Sequence, residues 1–284
     1  MTYSRLTPLR YPGGKAKLLS KIVPHFPSKF KEYREPFLGG GSVLLALLQK
    51  SNQNNIYKVQ VNDLNINVHI FWKELQNNGE LLIKNIQNIY DKYKKEENGK
   101  ELYYILKSQE NTDSLQLATR FFVLNRITFS GTIDSGGYSE ESFQKRFVQS
   151  SIDRLKKIHP LIQNCVIRNE DYSSLVQEPG NDVFIYLDPP YLSAKKSRLY
   201  GTRGDLHLLF SHDELFVNLT KCKHQWLMTI DYSPDIVKKY ENIANLYQIN
   251  GIHYGMRNAG DKNTRDDELL IANYELEGLS KINK

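Results

Sequence analysis

One short run limits this chain more than any other: Val183-Phe184-Ile185-Tyr186-Leu187, closed at once by Asp188-Pro189-Pro190-Tyr191. Four of its five residues are β-branched or aromatic and the run lacks helical spacing, so it reads as a buried parallel strand. Parallel α/β sheets place their chemistry just beyond the carboxyl ends of strands, which sets Asp188 at the mouth of a site. The two prolines forbid a helix and hold the chain extended. They fix the Asp188 carboxylate, the Pro189 carbonyl and the Tyr191 ring in one relation. Two acceptors and a flat ring suit a planar base that carries an amino group. The plain alternative is a strand-ending turn, because Asp and Pro are ordinary turn residues.

A chain of 284 residues with 40% hydrophobic content is long enough for one large domain plus an insertion. Its 38 Lys and Arg against 32 Asp and Glu leave +6, and the pI is near 9.0. That excess is compatible with a polyanionic partner but is also common among ordinary proteins. Cys165 and Cys222 stand far apart without metal-ligand spacing. They fit reduced thiols in a cytoplasmic protein and argue against zinc, so no metal is expected. The N-terminus has no signal-peptide pattern, and no segment approaches the roughly 20 apolar residues that span a bilayer, so no membrane role is expected.

Towards the N-terminus, Leu9-Arg10-Tyr11-Pro12-Gly13-Gly14-Lys15 forms a glycine loop before an expected helix from Ala16 to about Val23. Glu35-Pro36-Phe37-Leu38-Gly39-Gly40-Gly41-Ser42 follows, a glycine turn ahead of an apolar helix from Val43 to Leu48. A glycine turn between strand and helix lets a ligand approach the backbone at the helix N-terminus. Gly39 and Gly41 could open a dinucleotide fingerprint, but Leu44 occupies the third glycine position. Asp63 ends the alternating strand Lys58-Val59-Gln60-Val61-Asn62, at the distance where a nicotinamide or another nucleoside cofactor would find its ribose-binding acid. At this point both classes stay open, beside a simple turn role for Asp63.

From Ile66 to about Ser150 helical stripes take over. Val68, Phe71, Trp72 and Leu75 form one, Leu82, Ile86, Ile89, Tyr90 and Tyr93 a second, and Leu117, Phe121 and Leu124 a third; all read as core. Residues 125–138 then read as a polar, glycine-rich loop. The sheet resumes with a helix from Ser151 to His159, a short strand Val166-Ile167-Arg168, and Asp171-Tyr172. Leu192 to His207 is a polar stretch with Lys195, Lys196, Arg198 and Arg203, long enough for a cover or a DNA-facing loop. A helix from Ser211, a strand Gln225 to Ile230, and Glu268 to Tyr274 close the chain.

Taken in order, aromatic-Pro-Gly-Gly-Lys, the Glu-Pro-Phe glycine loop, the Asn-Asp-Leu-Asn step at Asp63, the insertion and Asp-Pro-Pro-Tyr resemble the adenine-specific DNA methyltransferases of the Dam type (D12 class, alpha group), which use S-adenosylmethionine (SAM). The resemblance implies an α/β fold: a Rossmann-like SAM-dependent methyltransferase sheet with helices on both faces and an inserted, mainly helical target-recognition domain. It divides the chain into a first catalytic part, 1–65, the recognition domain, 66–150, and a second catalytic part, 151–284. It implies SAM contacts by Tyr11, Lys15, Glu35, Pro36, Phe37, Gly39, Gly41, Asp63, Asp171, Tyr172 and Asp188, with Asp63 on the ribose hydroxyls. Asp188, Pro189, Pro190 and Tyr191 would be catalytic. Asn125, Arg126 and Ser130, with Lys195, Lys196 and Arg198, would meet DNA.

On that reading the substrate is an adenine flipped out of double-stranded DNA, methylated at its exocyclic N6. A companion restriction endonuclease is a further expectation, the location is cytoplasmic, and the oligomeric state is open. Three rivals stand beside it. They are a methyltransferase for RNA adenine or another amino group, a nicotinamide oxidoreductase built on the glycine loop and Asp63, and a catalytically silent DNA-binding protein.

Overall fold

The computed structural model describes residues 6–11, 13–49, 56–110, 113–133, 136–191, 210–249 and 268–282. Its strands are β1 (Glu32–Glu35), β2 (Lys58–Asn62), β3 (Cys165–Arg168), β4 (Val183–Leu187), β5 (Gln225–Asp231), β6 (Asn245–Ile249) and β7 (Glu268–Ala272). They form one sheet in the order β3-β2-β1-β4-β5-β7-β6. All pairs are parallel except those of β7, which runs antiparallel to β5 and β6.

The central run behaves as its pattern requires. All five residues of β4 are buried, and they alternate between two cores. Phe184 and Tyr186 join the core on one face of the sheet, Val183, Ile185 and Leu187 the core on the other. Side chains of a strand point alternately to opposite faces, so an unbroken apolar run is what a sheet covered on both sides demands.

The helices are α1 (Leu19–Ile22), α2 (Ser42–Leu48), α3 (Ile66–Asn77), α4 (Gly79–Lys95), α5 (Gly99–Ser108), α6 (Ser114–Ile127), α7 (Glu140–Arg146), α8 (Gln149–Ile158), α9 (Ser173–Gln177), α10 (His212–Lys221) and α11 (Pro234–Tyr240). Residues of α9, α10 and α11 cover one face, and residues of α1, α2 and α3 the other. This is the Rossmann-like α/β sheet with helices on both faces. The expected helix from Ala16 to Val23 is broken: 3-10 turns at Lys15–Lys17 and Val23–His25 flank the four residues of α1. Pro24 has no N–H to continue the α-helical ladder.

Between residues 66 and 150 the first stripe read from the sequence is core, and the others are so in part. Val68, Phe71, Trp72, Leu75, Leu82, Ile86 and Leu124 are fully buried, in one cluster with Phe184 and Tyr186 of the sheet; Ile89, Tyr90 and Phe121 are half-buried against it, Leu117 stands outside it, and α6 buries Phe122 in place of Phe121. The helical segment therefore packs on the sheet through a shared core. One boundary differs from expectation. α6 runs through Asn125 and Arg126 to Ile127, because Leu124 and Ile127 prolong its buried stripe and the Thr128 N–H still reaches the Leu124 carbonyl at 3.0 Å.

Candidate active site

The strand order turns between β1 and β4, the place where open α/β sheets leave a crevice beyond their carboxyl ends. Asp188 leaves β4 at that crevice. Its Oδ1 accepts from the Lys15 ammonium at 2.6 Å and from the Thr229 hydroxyl of β5 at 3.2 Å. Lys15 also donates to the Gly13 carbonyl at 2.8 Å and lies 4.7 Å from the centroid of the Tyr191 ring. The Tyr191 hydroxyl donates to Glu268. Because β7 is antiparallel, its first residue falls at the edge where the parallel strands end, opposite Asp231. That is how an acid 80 positions from Asp188 joins the cluster. Burial pushes the Asp188 carboxyl up to about 6; the Lys15 ammonium draws it back down and Glu268 adds to the rise.

The Lys15 side chain is 2% exposed, and its ion pair with Asp188 sets it in the Asp-Pro-Pro-Tyr cluster. A buried ammonium needs a carboxylate beside it, and Asp188 is the one within reach.

The glycine turn after β1 is held from inside. The Gly39 N–H donates to Asp63 Oδ2 at 2.7 Å, and the other Asp63 oxygen accepts the Asn65 N–H at 2.9 Å. The Trp72 indole donates to the Gly39 carbonyl at 3.0 Å. Gly39 and Gly41 have φ of +46° and +64°, and a Cβ on either would strike the Tyr11 ring at 2.9 Å or Trp72 at 2.6 Å. These two glycines are thus demanded by the backbone conformation and by the rings of Tyr11 and Trp72. Pro36 is buried, and its carbonyl accepts from Asn62 at 3.1 Å.

Glu35 ends β1 and is 2% exposed. Its carboxyl accepts from the Tyr33 hydroxyl at 2.7 Å and from the Leu44 N–H in the first turn of α2. Burial pushes it up to about 8, with Asp188 and Asp63 adding repulsion. Burial likewise pushes Asp63 up to about 6 against its two backbone donors. Glu35, Asp63 and Asp188 therefore crowd three carboxyls at the ends of β1, β2 and β4, with the Lys15 ammonium drawn in beside them.

On the far side of the turn the Phe37 and Tyr172 rings stack, centroids 5.4 Å apart at 27°. Phe210, just before α10, stands 5.6 Å from each. The Tyr172 hydroxyl accepts from Asn218 at 3.0 Å. Asp171 is exposed and turned back on the Ser173 N–H at 2.9 Å, a local turn that opens α9. Thr229, Glu268 and Phe210 were absent from the site read off the sequence, since none belongs to a local motif. The one hint was an acid opening the otherwise apolar run Glu268–Ala272.

The candidates for DNA contact divide. Asn125 and Arg126, expected in a loop, lie in the last turn of α6 and are 2% and 3% exposed. Asn125 grips the Arg10 backbone in both directions, accepting its N–H and donating to its carbonyl, each at 2.8 Å. Arg126 donates to the Pro8 carbonyl. Neither can read a base edge from inside the core. Ser130 is different: it has φ of +54° at a half-exposed turn, beside Phe129, whose ring is 68% exposed. Lys195, Lys196 and Arg198 lie outside the described residues.

A glycine turn, an acid after β2 and Asp-Pro-Pro-Tyr after β4, all at the turning point of this sheet, are the arrangement of a methyltransferase catalytic domain. The model of the D12 class N6 adenine-specific DNA methyltransferase family matches residues 11–257, and the chain belongs to that family. It is similar to the type II methyltransferase M.MjaIII of Methanocaldococcus jannaschii, 27% identical over 94% of this chain and 98% of that protein. It is also similar to M1.LlaDCHI of Lactococcus lactis subsp. cremoris, 23% identical over 93% of this chain and 94% of the relative. M.CviBI of Paramecium bursaria Chlorella virus NC1A is 23% identical over 82% and 85%. Its activity is that of the family, SAM-dependent and site-specific methylation of adenine N6 in DNA.

Proposed function

We propose that Asp188 and the Pro189 carbonyl accept hydrogen bonds from the N6 amino group of a flipped-out adenine while Tyr191 stacks on its ring. An amino lone pair delocalised into the base is a poor nucleophile. Two acceptors favour positive charge building on nitrogen, and so stabilise the transition state more than the ground state. Both protein donors on Asp188 reach Oδ1, which leaves Oδ2 for the incoming amino group. A base paired and stacked in a duplex cannot make these contacts, so extrusion is required, at a cost of a few kcal/mol. Asp188 need not keep the proton that nitrogen releases.

SAM, when bound, supplies a methyl group already activated by its sulfonium. Residues of this chain fit such a ligand: Asp63 and Asp188 bring carboxyls to the carboxyl ends of β2 and β4, on either side of β1. The ring of the cofactor would lie against Phe37, Tyr172 and Phe210, with Asp171 at its edge. Asp63 would meet the ribose hydroxyls with the lone pairs its two backbone donors leave over. Glu35, Pro36, Tyr11, Gly39 and Gly41 shape the floor. Leu44, 1% exposed, fills the third glycine position of a dinucleotide fingerprint, which speaks against a nicotinamide dinucleotide.

We further propose that residues 66–150 are the target-recognition segment, with the Phe129-Ser130 turn offered to double-stranded DNA. The type II relatives support a companion restriction endonuclease. No helix among the described residues is long and apolar enough to cross a membrane, which agrees with a cytoplasmic location. The observation that carries this reading is a half-buried carboxylate at the turning point of the sheet, held by Lys15 beside a proline pair and a ring. Expression in an unmethylated host, followed by sequencing for N6-methyladenine, tests it. Methyl marks confined to adenine within one short sequence are expected, and their absence from an expressed, folded protein would overturn it.

A further inference from the structure

The chemistry given to Asp188 and Tyr191 leaves Glu268 without a role, yet its burial calls for one. It opens β7 ahead of Leu269, Leu270, Ile271 and Ala272, and is 2% exposed. An acid at the end of a strand ordinarily turns to water, because a carboxylate buried without donors is costly. Here the Tyr191 hydroxyl, 77 positions earlier in the chain, donates to Glu268 Oε1. The acid stands there against the interest of its neighbour, since its charge adds to the rise of the Asp188 carboxyl. A carboxylate has only acceptors to offer, so the direction of the bond is fixed: the phenol donates.

The two partners differ in how firmly the sheet holds them. Glu268 lies opposite Asp231 of β5 and Ile249 of β6, so its backbone is fixed by a strand on each side. Tyr191 stands four residues beyond the end of β4, and its ring turns about two side-chain bonds. Two contacts restrict that turning. The Lys15 ammonium lies over the ring, 4.7 Å from its centroid, and Glu268 holds the hydroxyl at the far end. A cation on one face and an acceptor at the rim set the ring plane, and a base stacks on the opposite face.

We propose that Glu268 is a positioning residue for methyl transfer, fixing the plane of the Tyr191 ring through its hydroxyl before the adenine arrives. The inference rests on the stacking role proposed for Tyr191 above. A stacked base takes its tilt from the ring beneath it, and that tilt decides whether N6 meets Asp188 and the methyl donor in line. A ring fixed in advance supplies the alignment on binding, whereas a loose ring leaves bound adenine out of line for part of the time. An anchor on an interior strand sets such geometry more sharply than one on a loop.

Four variants of the full chain test this: Glu268→Ala, Glu268→Gln, Tyr191→Phe, and Glu268→Ala combined with Tyr191→Phe. Three quantities are read. They are single-turnover methyl transfer from SAM to a duplex carrying the mapped target, SAM affinity by calorimetry, and the fluorescence lifetime of 2-aminopurine at the target position, which stacking on the ring shortens. Expected for Glu268→Ala are transfer about tenfold slower, unchanged SAM affinity and a longer lifetime. Tyr191→Phe keeps the ring and loses the hydroxyl, so it should match Glu268→Ala. The double variant should be no slower than either single one, because both changes remove the same bond. Glu268→Gln keeps an acceptor and should recover most of the rate.

Losses that multiply in the double variant would overturn the proposal, since Glu268 would then act by a route other than the hydroxyl. So would a Glu268→Ala protein that matches the wild type in rate and lifetime, or one whose slower transfer comes with an equal loss of SAM affinity. Should Glu268→Ala fail to fold, Tyr191→Phe still decides: transfer at the wild-type rate would show the bond to be idle. The lifetime is read without methyl transfer. Coupled lifetimes in an enzyme whose Asp188→Asn variant still turns over would refute the acceptor role and spare this one, and an enzyme that marks adenine but shows independent losses would do the reverse.

Discussion

Replacing Asp188 by Asn keeps the shape of the side chain and removes its charge, and the structure says this does two separate things. The first is catalytic. If the carboxylate stabilises charge building on the target nitrogen, its loss should cost about 10²- to 10³-fold in kcat, the scale measured for one preorganised polar contact to a developing charge, or roughly 3 to 4 kcal/mol. The second is structural. Lys15 is 2% exposed with its ammonium 2.6 Å from Asp188, and an ion left buried without its partner destabilises a fold by roughly 3 to 5 kcal/mol. Asp188→Asn alone should therefore lower both activity and unfolding free energy. Adding Lys15→Met removes the orphaned ammonium. The double variant should regain most of the stability and none of the methyl transfer. Urea unfolding gives the first quantity, and single-turnover transfer of labelled methyl from SAM gives the second. Asp188→Asn turning over within tenfold of wild type would refute the acceptor role. A double variant that recovers activity with stability would show that Asp188 exists only to neutralise Lys15.

The pH profile of kcat/KM should rise through about pH 6: burial sets the Asp188 carboxyl there, only its ionised form can accept and stabilise positive charge, and activity is lost as protons bind below that point; a flat profile between pH 5 and 8 would contradict the assignment. Asp63→Ala frees the Gly39 and Asn65 N–H groups and should weaken SAM by about 1 to 3 kcal/mol in calorimetry, whereas an unchanged affinity would leave Asp63 as a turn residue. Phe129→Ala removes an aromatic that is 68% exposed on a left-handed turn. It should weaken duplex binding by roughly 1 to 3 kcal/mol, the scale of stacking on a base, and reduce the fluorescence rise of 2-aminopurine at the target position; no change in either would remove the turn from the DNA surface.

Much of the scaffold was legible in the residues themselves. An apolar run with alternating faces is a strand covered on both sides wherever it sits, and a proline pair after it is extended by covalent geometry. Val183 to Tyr191 therefore announced both the strand and the chemistry at its end. The stripes at Val68, Phe71, Trp72 and Leu75 and at Leu82 and Ile86 did the same for helices, because period and burial are local properties. The glycine turn was equally plain, although what presses on Gly39 and Gly41 turned out to be Tyr11 and Trp72.

What the sequence could not decide was which distant groups meet. Lys15 and Asp188 are 173 positions apart, and only the order β2-β1-β4 brings the N-terminal turn beneath the end of β4. Glu268 reaches Tyr191 because one strand runs against the rest, a fact of pairing that no local pattern carries. Asn125 and Arg126 look like loop residues facing solvent when read one after another. The polar pair lies in the last turn of α6, where Asn125 holds the Arg10 backbone and Arg126 the Pro8 carbonyl. Propensity and periodicity act over one or two turns of chain, whereas charge, burial and hydrogen-bond partners are set by packing between elements. The sequence alone thus determined the kind of sheet and the motif at its edge, and tertiary structure decided the partners of the groups in the site.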